Sequence, residues 1–268
     1  MAGSLKALQA RHNQAVFTTL IALSAMALRQ SENPCVVPVP SNENRASSAG
    51  WLRGGDWLKQ HQDINQIGRT RKLDLVFLGD SISQGWGGEG RHVWQAAPEV
   101  WKQYYEDRNA CSFGISGDGT QHLLWRIDHG NFDKARPRVI VLLIGVNNVP
   151  SCTPEQVAEG IQAVLKRLAA KTPESKVLLL GLFPYGQKPE APTRKKVDAV
   201  NALISKFEDG KRVFYQDIGR VFLLSSGEAN PELMARDFLH LKPEGYRAWA
   251  KAIEYLLSQL LRDKARSS

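Results

Sequence analysis

The chain alternates short, uninterrupted runs of Val, Leu and Ile with segments in which apolar residues recur at helical spacing, and this alternation constrains its fold most. The clearest run is Val-Ile-Val-Leu-Leu-Ile at 139–144. A strand that is apolar at every position is buried on both faces, so the pattern predicts a parallel sheet with helices on both sides. Strands are predicted at 73–79, 109–113, 139–144, 177–182 and 213–216, and helices at 51–66, 99–105, 121–128, 154–170, 194–208 and 243–261.

The 268 residues are enough for one substantial core, and we predict one folded domain over 51–268. The N-terminus has the order of a signal peptide, because basic Lys6 and Arg11 precede an apolar stretch at 15–28 that ends in small residues. We therefore predict a cleaved leader at 1–27 and a periplasmic or secreted protein; a cytoplasmic protein with an amphipathic leader helix is the alternative. The stretch is too short to favour a stable membrane span. Residues 28–50, rich in Pro, Ser and Asn, are predicted to be a flexible linker.

Charge and cysteine content weigh against two classes of site. The net charge is +8, but the basic residues are scattered and form no arginine-rich run, so nucleic-acid binding is not expected. The cysteines Cys35, Cys111 and Cys152 are odd in number, widely spaced and without a Cys-x-x-Cys pair. This spacing indicates neither a disulfide framework nor a zinc site. Cys111 is predicted to be a buried strand residue.

A serine follows the first predicted strand directly, in the sequence Gly-Asp-Ser-Ile-Ser at 79–83. Ligands of open α/β sheets bind beyond the carboxyl ends of the strands, so Ser81 lies where chemistry is expected. A serine hydroxyl is a weak nucleophile that needs a positioned base and a site for the oxyanion. Ser81 is therefore a candidate nucleophile if the chain supplies both.

Right-handed crossovers bring every strand's carboxyl end to one edge of the sheet, so distant motifs converge beside Ser81. Two of them are the loops Gly-Ile-Ser-Gly-Asp-Gly at 114–119 and Gly-Val-Asn-Asn at 145–148, which follow the second and third strands. Near the C-terminus, Asp237 stands three residues before His240. A carboxylate there can accept a hydrogen bond from one imidazole nitrogen while the other faces the serine. The sequence thus supplies a nucleophile, a base and an orienting acid.

These four blocks, in this order, resemble the SGNH (GDSL-type) hydrolase superfamily, and within it the family of platelet-activating-factor acetylhydrolase Ib catalytic subunits. The resemblance covers about residues 51–262 and includes Trp-Leu-Lys-Gln-His at 57–61 and Gly-Leu-Phe-Pro at 181–184. It implies a three-layer α/β/α flavodoxin-like sandwich with a five-stranded parallel sheet and cofactor-free hydrolysis of small acyl esters. It also implies an oxyanion hole formed by the backbone N–H groups of Ser81 and Gly117 and the side-chain amide of Asn147.

Other polar residues near these blocks have structural interpretations. His61 and His122 fit the family pattern but are predicted to lie on helices, where a structural role is favoured. Asp80 and Asp118 are interpreted as acceptors that stabilise turns. Gly119 departs from the family pattern, which usually has Thr there. A Gly-x-Ser-x-Gly elbow is missing from the sequence, and 114–119 lacks the spacing of a dinucleotide-binding loop, so both of those classes are disfavoured.

The sequence therefore predicts a serine esterase that removes a short acyl group, most simply acetyl, from a small-molecule or glycan ester. Ile82, Val146 and Leu239 adjoin the catalytic groups and are predicted to line a short acyl pocket. Whether the alcohol part is a carbohydrate or resembles a phospholipid stays open, as does a homodimer. A lysophospholipase or thioesterase acting on longer chains, and a non-catalytic interaction module on the same fold, are the alternatives.

Overall fold

A computed structural model describes residues 33–41 and 57–266 of the chain. Its centre is a sheet of five parallel strands in the order β2-β1-β3-β4-β5, which is the order of flavodoxin-like folds. The strands are β1 (Leu75–Gly79), β2 (Ala110–Gly114), β3 (Val139–Leu143), β4 (Lys176–Leu180) and β5 (Val213–Gln216). Every residue of β1, β2 and β3 is buried, so both faces of the sheet are covered.

Helices precede, connect and follow the strands. They are α1 (Trp57–Thr70), α2 (Ser81–Gln84), α3 (Pro98–Tyr104), α4 (Thr120–Arg126), α5 (Pro154–Lys171), α6 (Pro192–Ile204) and α7 (Pro243–Leu261). Helices α4, α5 and α6 pack in series, whereas α3 packs against α7. Local sequence determines where α5 begins, because Thr153 and Gln156 form a reciprocal capping box and Pro154 occupies the first helical position.

The predicted fold class and the five strands are confirmed, with strand ends shifted by at most two residues. Helix α1 runs from 57 to 70 where 51–66 was predicted, and residues 51–56 lie outside the described residues. The predicted helix at 194–208 ends as an α-helix at Ile204, and a short 3-10 turn (Ser205–Phe207) follows. In the described part of the chain, no helix is long and apolar enough to cross a membrane.

The predicted leader at 1–27 and most of the predicted linker at 28–50 lie outside the described residues. One part of the linker range is described, and it packs against the domain instead of extending from it. Cys35 is fully buried, and the backbone N–H of Val39 donates to the carbonyl oxygen of Gln121 across 3.3 Å. Residues 35–41 are thus held by contacts with the rest of the domain, and the linker assignment of 28–50 stays a prediction.

Candidate active site

Ser81 is the first residue of helix α2 and lies directly beyond the end of β1. Asp80 caps this helix, since its carboxylate accepts the backbone N–H of Ile82 at 3.0 Å. The turn lies very close to β2, because a Cβ atom on Gly114 would come within 3 Å of the carbonyl oxygen of Asp80. Strands β2 and β3 lie on opposite sides of β1, and the chain forms β2 first and then crosses over β1 to form β3. Ser81, at the end of β1, therefore lies at the topological switch point of the sheet.

His240 connects the serine to a carboxylate, although the two are far apart in sequence. Its Nε2 lies 2.8 Å from the Ser81 hydroxyl oxygen, and its Nδ1 lies 2.6 Å from Oδ2 of Asp237. The serine is buried, with 4% of its surface exposed, whereas the side chain of Asp237 is 51% exposed. The structure thus brings the predicted nucleophile, base and acid into one hydrogen-bonded chain that begins in the interior and ends at the surface.

The carboxylate of Asp237 is held in its ionised form by three donors. Burial alone would raise its pKa, but the imidazole of His240 and the backbone N–H groups of His240 and Leu239 donate to it and lower the pKa to about 2. The two backbone donors both contact Oδ1, which leaves Oδ2 for the imidazole. Local turn geometry therefore decides which carboxylate oxygen meets His240.

The predicted oxyanion donors come from two loops that touch each other. Gly117 adopts a φ of 77°, a left-handed conformation that favours glycine. The side-chain amide of Asn147 donates to the carbonyl oxygen of Asp118 across 2.9 Å, which joins the loop after β3 to the loop after β2. An amide nitrogen carries two hydrogens, so one remains for a ligand. Ser81 opens its helix, where backbone N–H groups have no intrahelical acceptor.

A buried ion pair supports the loop after β2, and sequence reasoning missed it. Asp118 lies 2.8 Å from Nε of Arg126, and both side chains are fully buried. The indole N–H of Trp57 donates to the other oxygen of Asp118 at 2.6 Å. Arg126 also donates to the carbonyl oxygens of Phe113 and Gly79, at the ends of β2 and β1. Trp57, Asp118 and Arg126 all lie in stretches that resemble the family, and this was the available sequence signal. Their spacing in the chain, however, does not predict that they are in contact.

Asp80, beside the nucleophile, is the other buried carboxylate at the site. Burial raises its pKa to about 7, against the opposing effects of the Ile82 N–H and of His240. Its role as a helix cap agrees with the interpretation of Asp80 as a turn-stabilising acceptor. Near neutral pH, however, this carboxyl group is poised between its two protonation states.

The remaining candidates lie around this centre. Ile82 and Val146 are 1% and 3% exposed and belong to the hydrophobic core, whereas Leu239 is partly buried against it. The acyl-pocket role of these three stays a prediction. His61 is buried on α1, and burial lowers its pKa to about 4, which keeps it neutral. His122 accepts the backbone N–H of Gly119 at the start of α4.

Gly119 is packed closely, because a Cβ atom there would lie 2.5 Å from Oε1 of Gln121 and 2.9 Å from the amide of Asn148. The departure from Thr at this position is therefore matched by neighbouring side chains that occupy the space. Among residues 33–41 and 57–266, no cluster of three or more His, Cys, Asp or Glu side chains is arranged to hold a metal ion.

Comparison with known proteins agrees with this geometry. The model of the GDSL-like lipase/acylhydrolase family matches residues 77–248, which include the loops described above and the Asp237–His240 turn. The chain belongs to this family. It is also 33% identical over 231 residues to human platelet-activating factor acetylhydrolase IB subunit alpha1, covering 86% of this chain and 92% of that protein. The predicted resemblance is confirmed, and the protein is a carboxylic ester hydrolase of the GDSL family.

Solved structures share the fold at low sequence identity. A GDSL-like lipase from Bacteroides thetaiotaomicron aligns with a TM-score of 0.56 and 18% identity, covering 69% of this chain and 87% of that chain. Axe2, an acetylxylan esterase from Geobacillus stearothermophilus, aligns with a TM-score of 0.56 and 17% identity, covering 75% of this chain and 99% of that chain. These likenesses support the architecture of this GDSL hydrolase.

Proposed function

We propose that this GDSL hydrolase is a serine esterase that removes a short acyl group, most simply acetyl, through an acyl-enzyme intermediate. The observation that carries the proposal is the bridging position of His240, which lies within hydrogen-bond distance of both Ser81 and Asp237. A base in this position can take the proton of the attacking hydroxyl and later return it to the leaving alcohol.

In the first half-reaction, Oγ of Ser81 attacks the ester carbonyl and His240 accepts the hydroxyl proton. Asp237 fixes the imidazole tautomer and stabilises the imidazolium, which its low pKa allows it to do as an anion. The N–H groups of Ser81 and Gly117 and the amide of Asn147 donate to the oxyanion as charge develops. The imidazolium then protonates the leaving alcohol, and a water molecule, activated by the same base, cleaves the acyl-enzyme.

The test is a panel of p-nitrophenyl esters of increasing acyl length, assayed beside acetylated xylan and an acetylated glycerophospholipid. We expect turnover of the acetyl ester, with complete loss in Ser81→Ala. Turnover of the variant at the wild-type rate would refute the nucleophile. Comparing turnover of acetylated xylan with turnover of the acetylated glycerophospholipid identifies the alcohol part of the substrate. These two substrates are chosen because the similar proteins include a platelet-activating factor acetylhydrolase subunit and an acetylxylan esterase.

Acyl length is the sharper part of the test. One methylene in an apolar pocket is worth about 1–3 kcal/mol, and butyryl is longer than acetyl by two, so acetyl should exceed butyryl by roughly tenfold to a hundredfold or more. Leu239→Ala should widen the range, and it is the useful variant, because truncation of the buried Ile82 or Val146 would also open a core cavity at a cost of about 1–5 kcal/mol. Preference for octanoyl over acetyl would replace this proposal with the lysophospholipase or thioesterase alternative.

We also propose export, on the strength of the N-terminal sequence alone. Expression in a bacterial host should yield a periplasmic species whose first residue is Leu28. Recovery of full-length protein from the cytoplasm, with none in the periplasm, would refute export and favour an intracellular substrate.

A further inference from the structure

Two cysteines that are 117 positions apart in the chain face each other in the interior. Sγ of Cys35 lies 3.2 Å from Sγ of Cys152. Both side chains are reduced thiols and both are buried, with 0% and 5% of each residue exposed. A disulfide has an S–S distance of about 2.05 Å, so closing the bond requires the two sulfur atoms to approach by only about 1 Å.

The two cysteines belong to segments that already make specific contacts. The carbonyl oxygen of Cys35 accepts the hydroxyl of Thr120 at 2.7 Å, and the backbone N–H of Thr120 donates to Oδ1 of Asn148 at 2.9 Å. Asn148 in turn accepts the backbone N–H of Cys152 through its carbonyl oxygen at 2.9 Å. Cys35 and Cys152 are thus held at the two ends of one hydrogen-bonded chain, so their approach follows from the packing around them.

Helix α5 also leaves room for Cys35. A Cβ atom on Gly160 would lie 2.9 Å from both Cβ and the carbonyl oxygen of Cys35. On the other side of the pair, Nζ of Lys196 donates to the carbonyl oxygens of Cys152 and Val149, at 3.1 Å and 3.0 Å. The loop from the oxyanion residue Asn147 to Cys152 is therefore tied to α6 on one side and contacts Cys35 on the other.

We propose that Cys35 and Cys152 form a disulfide that fastens the segment 35–41 to the loop following β3. In this step, two Cys S–H bonds break and one S–S bond forms. The two electrons and two protons reduce a disulfide oxidant, such as glutathione disulfide, to two thiols. The inference differs from the expectation drawn from cysteine spacing, which indicated no disulfide framework, and it does not depend on the proposed esterase mechanism.

The crosslink forms as the chain folds, before the thiols are buried. Burial and the neighbouring Cys152 raise the pKa of the Cys35 thiol to about 12, and a thiol must ionise before it can attack a disulfide. Once folded, the pair is therefore slow to exchange in either direction. Stabilisation follows because the bond closes a long loop in the unfolded chain.

The experiment refolds the full-length protein from denaturant in a glutathione redox buffer, blocks free thiols with N-ethylmaleimide and digests with trypsin without reduction. Trypsin places the three cysteines in separate peptides, at 30–45, 109–126 and 139–166. We expect peptide 30–45 linked to 139–166, lighter than the two free peptides by two hydrogens, and peptide 109–126 blocked. The buried Cys111 supplies the matched control, because Cys111→Ala should keep the link.

A thermal readout accompanies the mapping. The oxidised wild type and oxidised Cys111→Ala should melt roughly 5–10 °C above the same proteins refolded in reductant, and Cys35→Ala and Cys152→Ala should show no such difference. The far-UV circular dichroism spectrum of each sample reports that it has folded, and the peptide mapping of the wild type needs no variant. Blocked thiols on both 30–45 and 139–166, a link to 109–126, or equal melting of the oxidised and reduced wild type would overturn the proposal.

Discussion

The substitution Asp237→Asn tests the proposed base most directly, because the turn around residue 237 determines how the new side chain is oriented. The backbone N–H groups of Leu239 and His240 contact Oδ1, at 3.1 Å and 3.0 Å. An amide oxygen takes this position, so the amide NH₂ must face Nδ1 of the imidazole. Nδ1 then becomes the acceptor, and the ring proton moves to Nε2. The imidazole consequently donates to Ser81 and cannot accept its proton.

A triad in which the acid is changed to its amide loses about 10⁴ in kcat through this wrong tautomer. The side chain of Asp237 is 51% exposed, so water can partly compensate, and we expect a loss of about 10³ to 10⁴, or roughly 4 to 5.5 kcal/mol of barrier. The assay is kcat and KM for p-nitrophenyl acetate, with KM expected to change little.

Asp209→Asn is the matched control for this variant. Asp209 also accepts backbone N–H groups through Oδ1, from Lys211, Arg212 and Val213, but it lies before β5 and far along the chain from the histidine. The same change of carboxylate to amide should there leave kcat within about twofold. A loss of less than tenfold in Asp237→Asn would refute the tautomer argument and make the residue a structural acceptor of the turn.

Three further predictions concern the same site. Ser81→Ala should abolish turnover and leave the circular dichroism spectrum unchanged, since a small side chain at the helix start contributes little packing; an unfolded variant would contradict this. Asn147→Ala should lower kcat about a hundredfold with KM nearly constant, because its donor acts when charge develops on the oxygen; a change confined to KM would assign it to substrate binding. Asp80→Asn should flatten the dependence of unfolding free energy on pH. In the wild type, the contribution of Asp80 to the free energy of unfolding is complete below about pH 4, where the unfolded chain is also protonated, and is lost by about pH 7. This contribution is at most about 4 kcal/mol. An equal dependence of the unfolding free energy on pH in both proteins, measured by denaturant titration, would contradict this.

Local sequence was sufficient to predict the sheet and to single out Ser81, Asp237 and His240, which the structure joins by hydrogen bonds. A strand such as β3, apolar at every position, can be stable only when covered on both faces, so its pattern determines its environment. The parallel arrangement then places the residues after each strand at one edge, so the pairing of β1 with β3 brings the ends of the strands before Ser81 and Asn147 side by side. Asp237 and His240 are three residues apart, and a tight turn can bring such a pair into contact.

Contacts between distant buried side chains could not be predicted in this way. The ion pair of Asp118 with Arg126 depends on how α4 leaves its loop, and the meeting of Cys35 with Cys152 depends on a segment that composition assigns to a linker. In both cases the residue types suggest other roles: a turn acceptor, a surface cation, unpaired thiols. Each of these contacts is favoured because the side chains are buried together in the folded molecule, and the spacing of the residues in the chain does not predict that burial.

Asp80 is a second buried residue whose interaction with a distant side chain, His240, is not predicted by local sequence, and this interaction bears on proton transfer from Ser81. Burial raises the pKa of Asp80, whereas the charge of His240 acts in the opposite direction and favours the Asp80 carboxylate. When His240 accepts the proton of Ser81 in the proposed mechanism, it gains support from Asp237 through a 2.6 Å hydrogen bond and from Asp80 through space. The first interaction is exposed to water and the second is buried, where charges are weakly screened. In the proposed mechanism the imidazolium therefore interacts with two carboxyl groups, and the Asp-x-x-His spacing reveals only one of them.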